Sequence, residues 1–165
     1  MKLKTNLIVS VILASLCTYL IICWTQKAKA PQLPPLTDIN GKSFDVKKLK
    51  GKVYILSYFQ TWCGDCVKEQ PQLQKLQEKF GADKLEILMV SDEPIGKIDT
   101  FKNRFQSELN FYHSALRLKG PELGVRKFPT TYLISKKGKV AELKEEGINW
   151  YTDEIVALIE KLEKE

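Results

Sequence analysis

Two cysteines three residues apart form the part of this sequence best suited to covalent chemistry. Cys63 and Cys66 stand in the motif W-C-G-D-C, directly after the apolar, β-rich segment 53–59. On the first turn of a helix this spacing brings the two sulfur atoms together, so they can form and break a disulfide. Free backbone N–H groups and the positive end of the helix dipole would favour a thiolate at Cys63. Cys63 is therefore the predicted nucleophile, and Cys66 is expected to resolve the mixed disulfide.

The C-x-x-C spacing also fits a static structural disulfide or half of a zinc site. A structural zinc site needs four ligands, and outside the N-terminal segment only His113 could add one. A strand-to-helix junction with an aromatic residue before the first cysteine is instead typical of redox-active pairs. We therefore expect no metal and no bound cofactor, because the pair itself would be the redox-active group.

The segments that must position this pair alternate between strands and helices. An Asn40-Gly41 turn lies between short strand-like flanks, and residues 45–49 fit one helical turn. Apolar periodicity and turn residues predict strands at 53–59, 85–90, 111–115, 129–135 and 140–143, and helices at 63–80, at 95–105 and from Thr152 onward. This alternation predicts an α/β fold with a mixed sheet and helices on both faces.

The N-terminal segment has the composition of a membrane anchor. Residues 7–24 form an apolar run interrupted only by two serines and one threonine. A bilayer-spanning helix needs roughly 20 such residues, whereas a cleavable signal has about 7 to 15. We expect residues 1–26 to be an anchor or uncleaved signal, 27–35 a linker and 36–165 the globular domain. Cleavage after Ala28-Lys29-Ala30 is the alternative, and Cys17 and Cys23 are interpreted as packing residues of the apolar run.

Length, composition and charge limit the classes of function. The chain has 165 residues, 44% of them apolar, which is enough for the hydrophobic core of a single domain. Of the net charge of +6, residues 1–30 contribute four lysines and no acid, so residues 31–165 carry 22 basic and 20 acidic side chains, or +2. Basic and acidic side chains are interspersed along residues 31–165 rather than clustered, which argues against nucleic-acid binding. The chain also has no glycine-rich nucleotide motif, so its electrons must arrive by thiol exchange.

The run F-Q-T-W-C-G-D-C-V-K-E-Q-P, residues 59–71, resembles the active-site run of the thioredoxin superfamily. The nearest subgroup is the membrane-anchored TlpA/ResA-like thiol-disulfide oxidoreductases, and the similarity covers residues 33–165. Further matching segments are L-K-G-K before the central strand, F-P-T-T-Y-L-I at 128–134 and the K-G-K turn at 137–139. The resemblance implies a thioredoxin-like three-layer fold preceded by an N-terminal transmembrane helix.

The resemblance also implies roles for the neighbours of the cysteines. Pro129, after Phe128, would be the cis-proline that faces the pair, although only about 5% of X-Pro bonds are cis without such a match. Trp62, Gly64 and Asp65 would support the active site. Pro71 matches the family's kink in the active-site helix.

Glu69 is the third predicted catalytic residue. It follows Cys66 by three residues, so both lie on the same side of the helix, and ResA-like members carry a functional glutamate there. If buried, its pKa would rise and it could exchange a proton with the Cys66 thiol; the alternative is a solvated helix glutamate. Thioredoxin has a buried aspartate where this chain has Ser57, which would leave proton transfer to Glu69.

Asp65 departs from the family pattern, which has an uncharged residue before the second cysteine. Its carboxylate would repel the nearby Cys63 thiolate and so disfavour the reduced form. The hypothesis is that Asp65 lowers the reduction potential of the pair by a modest amount, because an exposed charge is well screened.

Taken with the resemblance, the residues predict an extracytoplasmic thiol-disulfide oxidoreductase that acts as a reductant. It would be a single-pass protein of the bacterial cytoplasmic membrane, anchored through residues 7–24. The implied partners are a membrane thiol-transfer protein as electron donor and disulfide-bearing extracytoplasmic proteins, such as apocytochrome c, as clients. The alternatives are an oxidase or isomerase on the same fold and a binding module that uses the cysteines to hold haem or copper.

Overall fold

The computed structural model describes residues 30–120, 123–147 and 149–165. The predicted anchor, residues 1–26, and the first part of the linker lie outside the described residues. Within the described ranges, no helix combines the length and the hydropathy that crossing a bilayer requires.

Strands and helices alternate along the described chain much as the sequence predicts. The strands are β1 (Leu36–Asp38), β2 (Val53–Tyr58), β3 (Leu85–Ser91), β4 (Asn110–Ser114), β5 (Thr130–Ile134) and β6 (Val140–Lys144). The α-helices are α1 (Gly64–Lys84), α2 (Ile95–Arg104) and α3 (Asp153–Glu163), and a 3-10 helix covers Val46–Leu49. The Thr152 hydroxyl accepts a hydrogen bond from the Ile155 backbone N–H, which caps α3 where its start was predicted.

The strands form one mixed sheet in the order β1-β4-β3-β2-β5-β6. The central strand β2 is parallel to β3 and antiparallel to β5, and every residue of β2 is buried. Because β2 and β3 are parallel, both end at the same edge of the sheet. The segment that leads from β2 to the cysteines therefore meets the turn that follows β3.

All three α-helices pack on one face of the sheet, which corrects the expectation of helices on both faces. Val53 and Ile55 of β2 share a core cluster with Leu73 of α1, Ile98 of α2 and Ile159 of α3. Alternate residues of a strand point to opposite faces, so Leu56 and Tyr58 belong to the other side.

The opposite face is covered by the 3-10 helix and irregular chain. Its cluster joins Leu56 to Leu49 of the 3-10 helix and to Leu118 and Val125 of the β4–β5 connection. That connection holds Gly120, Pro121 and Gly124 within five residues, and Gly124 has a positive φ of 69°. Such a sequence ends helices rather than extending them, so among the described residues this face has only the single 3-10 turn.

The active-site helix α1 begins at a residue that the sequence marks and is interrupted at another, three residues before its end at Lys84. Cys63 is its N-cap, and Gly81, the predicted stop, leaves the helical conformation with φ 70° and ψ 162°. Pro71 also lies inside the helix. The residue of α1 with non-helical dihedrals is Gly81. The helix therefore holds Cys66 and Glu69 over the sheet on a rigid element.

Candidate active site

The two cysteines of the motif are joined by a disulfide at the start of α1. Their Cα atoms are 5.2 Å apart, and the Cys63 sulfur accepts a hydrogen bond of 3.2 Å from the backbone N–H of Cys66. Cys63 is 7% exposed and Cys66 is fully buried. Cys63 is therefore the more accessible of the two cysteines, which fits its predicted role as the nucleophile.

An aromatic pair lies beside the cysteines. Trp62 is 72% exposed, and its ring meets that of Phe128 edge-on, with centroids 6.2 Å apart and planes at 85°. The Phe128–Pro129 peptide bond is cis, as the resemblance implied. Trp62 and Phe128 thereby connect the motif to the cis-proline loop.

Glu69 is buried in a set of three hydrogen-bond donors. The carboxylate is 1% exposed and accepts a hydrogen bond from the indole N–H of Trp150. Its other oxygen, Oε2, lies 3.2 Å from the Thr131 hydroxyl and 3.3 Å from the Ser57 hydroxyl, and these two hydroxyls are 2.9 Å apart. This carboxyl is therefore not the solvated helix glutamate that the sequence left open.

The register of the sheet explains how these partners converge. Ser57 on β2 is paired with Thr131 on β5, and Thr131 is paired with Lys144 on β6. Directly opposed residues of neighbouring strands point to the same face, so the three polar side chains form a row under α1. Trp150, just before α3, completes the site, and the Lys144 ammonium lies 5.1 Å from the centre of its ring.

Burial dominates the titration of this carboxyl. Desolvation raises the pKa of Glu69 from 4.5 to about 7, against the hydrogen bonds from Thr131, Trp150 and Ser57 and the positive charge of Lys144, which all lower it. A carboxyl with a pKa near neutrality can both accept and return a proton under ordinary conditions.

Asp65 lies at the surface of the same helix. Its carboxylate forms an ion pair of 2.9 Å with Lys68, and both side chains are more than half exposed. On its other side, the backbone of Gly147 approaches so closely that an added Cβ would lie 2.6 Å from the Cβ of Asp65. Gly64, the first residue of α1, has open space around it.

Two further carboxylates hold the segment before the cysteines. Glu93 accepts hydrogen bonds from the backbone N–H of Thr61, at 2.6 Å, and from its hydroxyl, at 3.0 Å. Asp92 accepts from the Gln60 side chain and, at 3.0 Å, from the backbone N–H of Leu118. Sequence reasoning missed both, although the S-D-E run after a strand parallel to β2 was a usable signal.

His113, the one other candidate ligand that the sequence offers, makes a structural contact. His113, on β4, has its Nδ1 atom 2.9 Å from the backbone carbonyl oxygen of Glu93. Lys127 forms an exposed ion pair of 3.2 Å with Glu146, and Arg126 is exposed. Trp150 is fully buried and also contacts the site through Glu69.

A mixed sheet whose central strand leads to a cysteine pair at a helix start, next to a cis-proline, defines a thioredoxin-fold protein. Solved structures agree: the chain superposes with a TM-score of 0.70 on a protein described as the thiol:disulfide interchange protein DsbE from Chlorobium tepidum, at 22% identity over 84% of this chain and 97% of that one. A thiol-disulfide isomerase from Corynebacterium glutamicum gives 0.68 at 18% identity, over 84% and 97%. The chain belongs to the AhpC/TSA family, whose model matches residues 25–143.

Among curated relatives, the thiol-disulfide oxidoreductase ResA of Bacillus thuringiensis strain Al Hakam is similar to this chain. The two are 35% identical over 112 residues, which is 65% of this chain and 62% of that protein. The match therefore spans less than two thirds of the relative's length.

Proposed function

We propose that this protein is a thiol-disulfide oxidoreductase that exchanges its Cys63–Cys66 pair with disulfides of protein partners. The proposal is carried by one arrangement: a disulfide at the start of α1 between the slightly exposed Cys63 and the fully buried Cys66, with a buried carboxyl one turn further on. An accessible sulfur can react with another protein, whereas a buried one can react only with its neighbour. The similarity to ResA supports the same activity.

The exchange would begin with the reduced pair. The Cys63 thiolate attacks one sulfur of the partner's disulfide, which breaks that S–S bond and releases the partner's other sulfur as a thiolate. Cys66 then attacks the Cys63 sulfur, forms the internal disulfide and releases the partner's remaining sulfur. Two electrons pass to the partner, whose two sulfurs each take up one proton.

In the second step, Glu69 would accept the proton of the Cys66 thiol and later return a proton. The thiol of Cys66 is buried, so water has poor access to it. A carboxylate with a pKa of about 7, on the same side of α1, is suited to accept this proton and to pass it to the departing sulfur.

We assign the direction as reduction and the place as the outer side of the bacterial cytoplasmic membrane. The apolar run 7–24 supports membrane attachment, and the absence of a nucleotide motif in the sequence supports a thiol donor. A membrane thiol-transfer protein would supply the electrons. Extracytoplasmic proteins with disulfides, such as apocytochrome c, would receive them.

The activity is tested with the full chain in detergent, carrying Cys17→Ser and Cys23→Ser so that only two thiols remain. This protein should catalyse reduction of insulin disulfides by dithiothreitol. Cys63→Ser should abolish catalysis, and Cys66→Ser should trap a mixed disulfide with insulin. Full turnover in either single variant would contradict the proposal.

The direction is tested by the equilibrium reduction potential of the pair. A value near or below about −250 mV, close to that of thioredoxin, fits a reductant, whereas a value near −120 mV is that of a strong oxidant. The second result would replace reductase by oxidase on the same fold.

The role of Glu69 is tested by the pH dependence of the second step. Glu69→Gln should slow resolution of a preformed mixed disulfide, because the carboxylate that accepts the Cys66 proton is gone. A rate equal to that of the wild type from about pH 6 to 9 would remove Glu69 from the mechanism.

A further inference from the structure

Trp150 makes a contact that packing alone does not require. Its side chain is fully buried, and its indole N–H donates a hydrogen bond to Oε1 of Glu69, a residue 81 positions earlier in the chain. An indole nitrogen can donate but not accept, so this group always needs an acceptor opposite it. A buried N–H that loses its acceptor is strongly unfavourable.

The two oxygens of the carboxyl group are therefore not equivalent. Oε1 faces the indole donor, whereas Oε2 faces the hydroxyls of Ser57 and Thr131. A hydroxyl can rotate to donate or to accept, so Oε2 can carry a hydrogen and still be satisfied. Oε1 is the poorer site for the proton, because a protonated oxygen is a weaker acceptor for the indole N–H than a carboxylate or carbonyl oxygen. These contacts therefore favour Oε2 as the oxygen that carries the proton of neutral Glu69.

The charged surroundings of Glu69 come from few elements. Lys144 on β6 lies over the Trp150 ring and acts on the carboxyl from the sheet side. β2 and β5 contribute the hydroxyls of Ser57 and Thr131 rather than charges. The titratable residues nearest to Glu69 on α1 and at its N-cap are the two cysteines, Asp65 and Lys68, and the last two form an exposed ion pair with each other.

We propose that Trp150 is a positioning residue of the redox site, which fixes Oε1 of Glu69 and thereby sets the pH range over which this carboxyl exchanges a proton with Cys66. The inference rests on the proposed function, since proton exchange at Cys66 matters only if the pair turns over. It extends that function because the donor comes from the segment before α3, far from the cysteine motif in the sequence.

The first test follows the indole itself in the full chain, labelled with ¹⁵N-tryptophan and kept in detergent. The Trp150 indole resonance, assigned by its loss in Trp150→Phe, should shift with a midpoint near that of Glu69, about pH 7. Glu69→Gln should abolish this shift. The exposed indole of Trp62 is the internal reference and should not follow it. A Trp150 resonance that stays constant while Glu69 titrates would overturn the inference.

The second test removes the donor but keeps an aromatic ring. In Trp150→Phe the titration midpoint of the Glu69 carboxyl, followed by its side-chain ¹³C resonance, should rise by about one pH unit. The reason is that a hydrogen bond to the charged carboxylate is lost. The pH profile for resolution of the mixed disulfide should move upward with it. Tyr151→Phe, at the exposed neighbouring ring, is the matched control and should leave both unchanged.

The outcomes separate the inference from the proposed function. An unchanged midpoint in a folded Trp150→Phe protein would overturn the positioning role even if disulfide turnover is normal. If that variant fails to fold, the indole titration of the wild type decides alone. A chain with no disulfide turnover, whose indole and carboxyl titrate together, would instead overturn the proposed function.

Discussion

Two carboxylates on α1, Asp65 and Glu69, stand on either side of Cys66 in opposite environments. They are four residues apart, so they lie on the same side of the helix with a rise of about 6 Å between them. Asp65 is exposed and paired with Lys68, whereas Glu69 is buried and accepts hydrogen bonds from three neutral donors.

The difference shows that the sheet, not the helix, decides how a carboxyl next to the cysteines behaves. The first turn of α1 meets the backbone of Gly147, and the second turn lies over Ser57 and Thr131. One helical turn therefore separates an exposed carboxylate held in an ion pair from a buried carboxyl whose pKa is raised to about 7.

The largest expected effect is on the pH dependence of stability. Burial raises the pKa of Glu69 to about 7 in the folded chain, above its ordinary 4.5. Its contribution to the free energy of unfolding is full below about pH 4.5 and falls by about 3 kcal/mol as pH rises through 7. Glu69→Gln should remove this decline, measured by urea unfolding of the oxidised full chain at a series of pH values.

Asp65→Asn is the matched control for that experiment, because it removes a carboxylate from the same helix at an exposed position. This variant should keep the decline of the wild type. If the decline survives in Glu69→Gln, the buried carboxyl is not its source and the contrast between the two turns of α1 fails.

The next effect tests the packing behind Asp65. In Gly147→Ala the new Cβ would lie 2.6 Å from the Cβ of Asp65 and 3.0 Å from its backbone, so the segment after β6 must shift. Overpacking of this kind destabilises by about 1 to 3 kcal/mol. Chemical denaturation should show this loss.

Gly96→Ala provides the control for Gly147→Ala. Gly96 lies on α2 with nothing within 4 Å of an added Cβ. Alanine there should stabilise the helix by about 0.5 to 1 kcal/mol. Equal stability of Gly147→Ala and the wild type would show that the contact with Asp65 is loose.

A smaller effect concerns the hydroxyls that face Oε2. Thr131→Val removes one donor to the charged form of Glu69, so the midpoint of that carboxyl should rise by about half a unit to one unit. Thr130→Val is the control, since its hydroxyl donates to the backbone carbonyl of Lys127 instead. Equal midpoints in the two variants, read from ¹³C spectra, would contradict the assigned partners.

The smallest effect belongs to the exposed carboxylate. Asp65→Asn relieves repulsion of the Cys63 thiolate and should raise the reduction potential, but the ion pair with Lys68 already offsets part of the charge. An exposed interaction of about 0.2 to 1 kcal/mol corresponds to roughly 5 to 20 mV for two electrons. Equilibration with glutathione buffers measures it, and a lower potential would refute the hypothesis.

Features set by neighbouring residues were predictable from the sequence. The apolar run of β2, the cysteine spacing and the break in α1 at Gly81 each depend on a few adjacent positions. The structure has the first two where expected, and α1 is interrupted at Gly81 but continues to Lys84. The burial of Glu69 remained one of two alternatives, because helix spacing gives its side of α1 but not its depth.

Contacts between segments that are distant in the sequence could not be predicted from it. Nothing local marks Thr131 or Trp150 as partners of Glu69, since both have ordinary roles in a strand and a core. The same limit explains the misplaced helix layer: strand and helix order does not tell which face each connection covers. The described residues of the β4–β5 connection cover their face without an α-helix.

The partners of Glu69 also fix the order in which the site can assemble. The two cysteines are three positions apart, so an unfolded chain can already oxidise them, whereas the carboxyl meets its donors only across 12, 62 and 81 positions. Contacts of such sequence separation form late because long loops must close first. A newly made chain would thus be able to form its disulfide before Glu69 meets its donors, and the segment that carries Trp150 would complete the site that begins at Cys63.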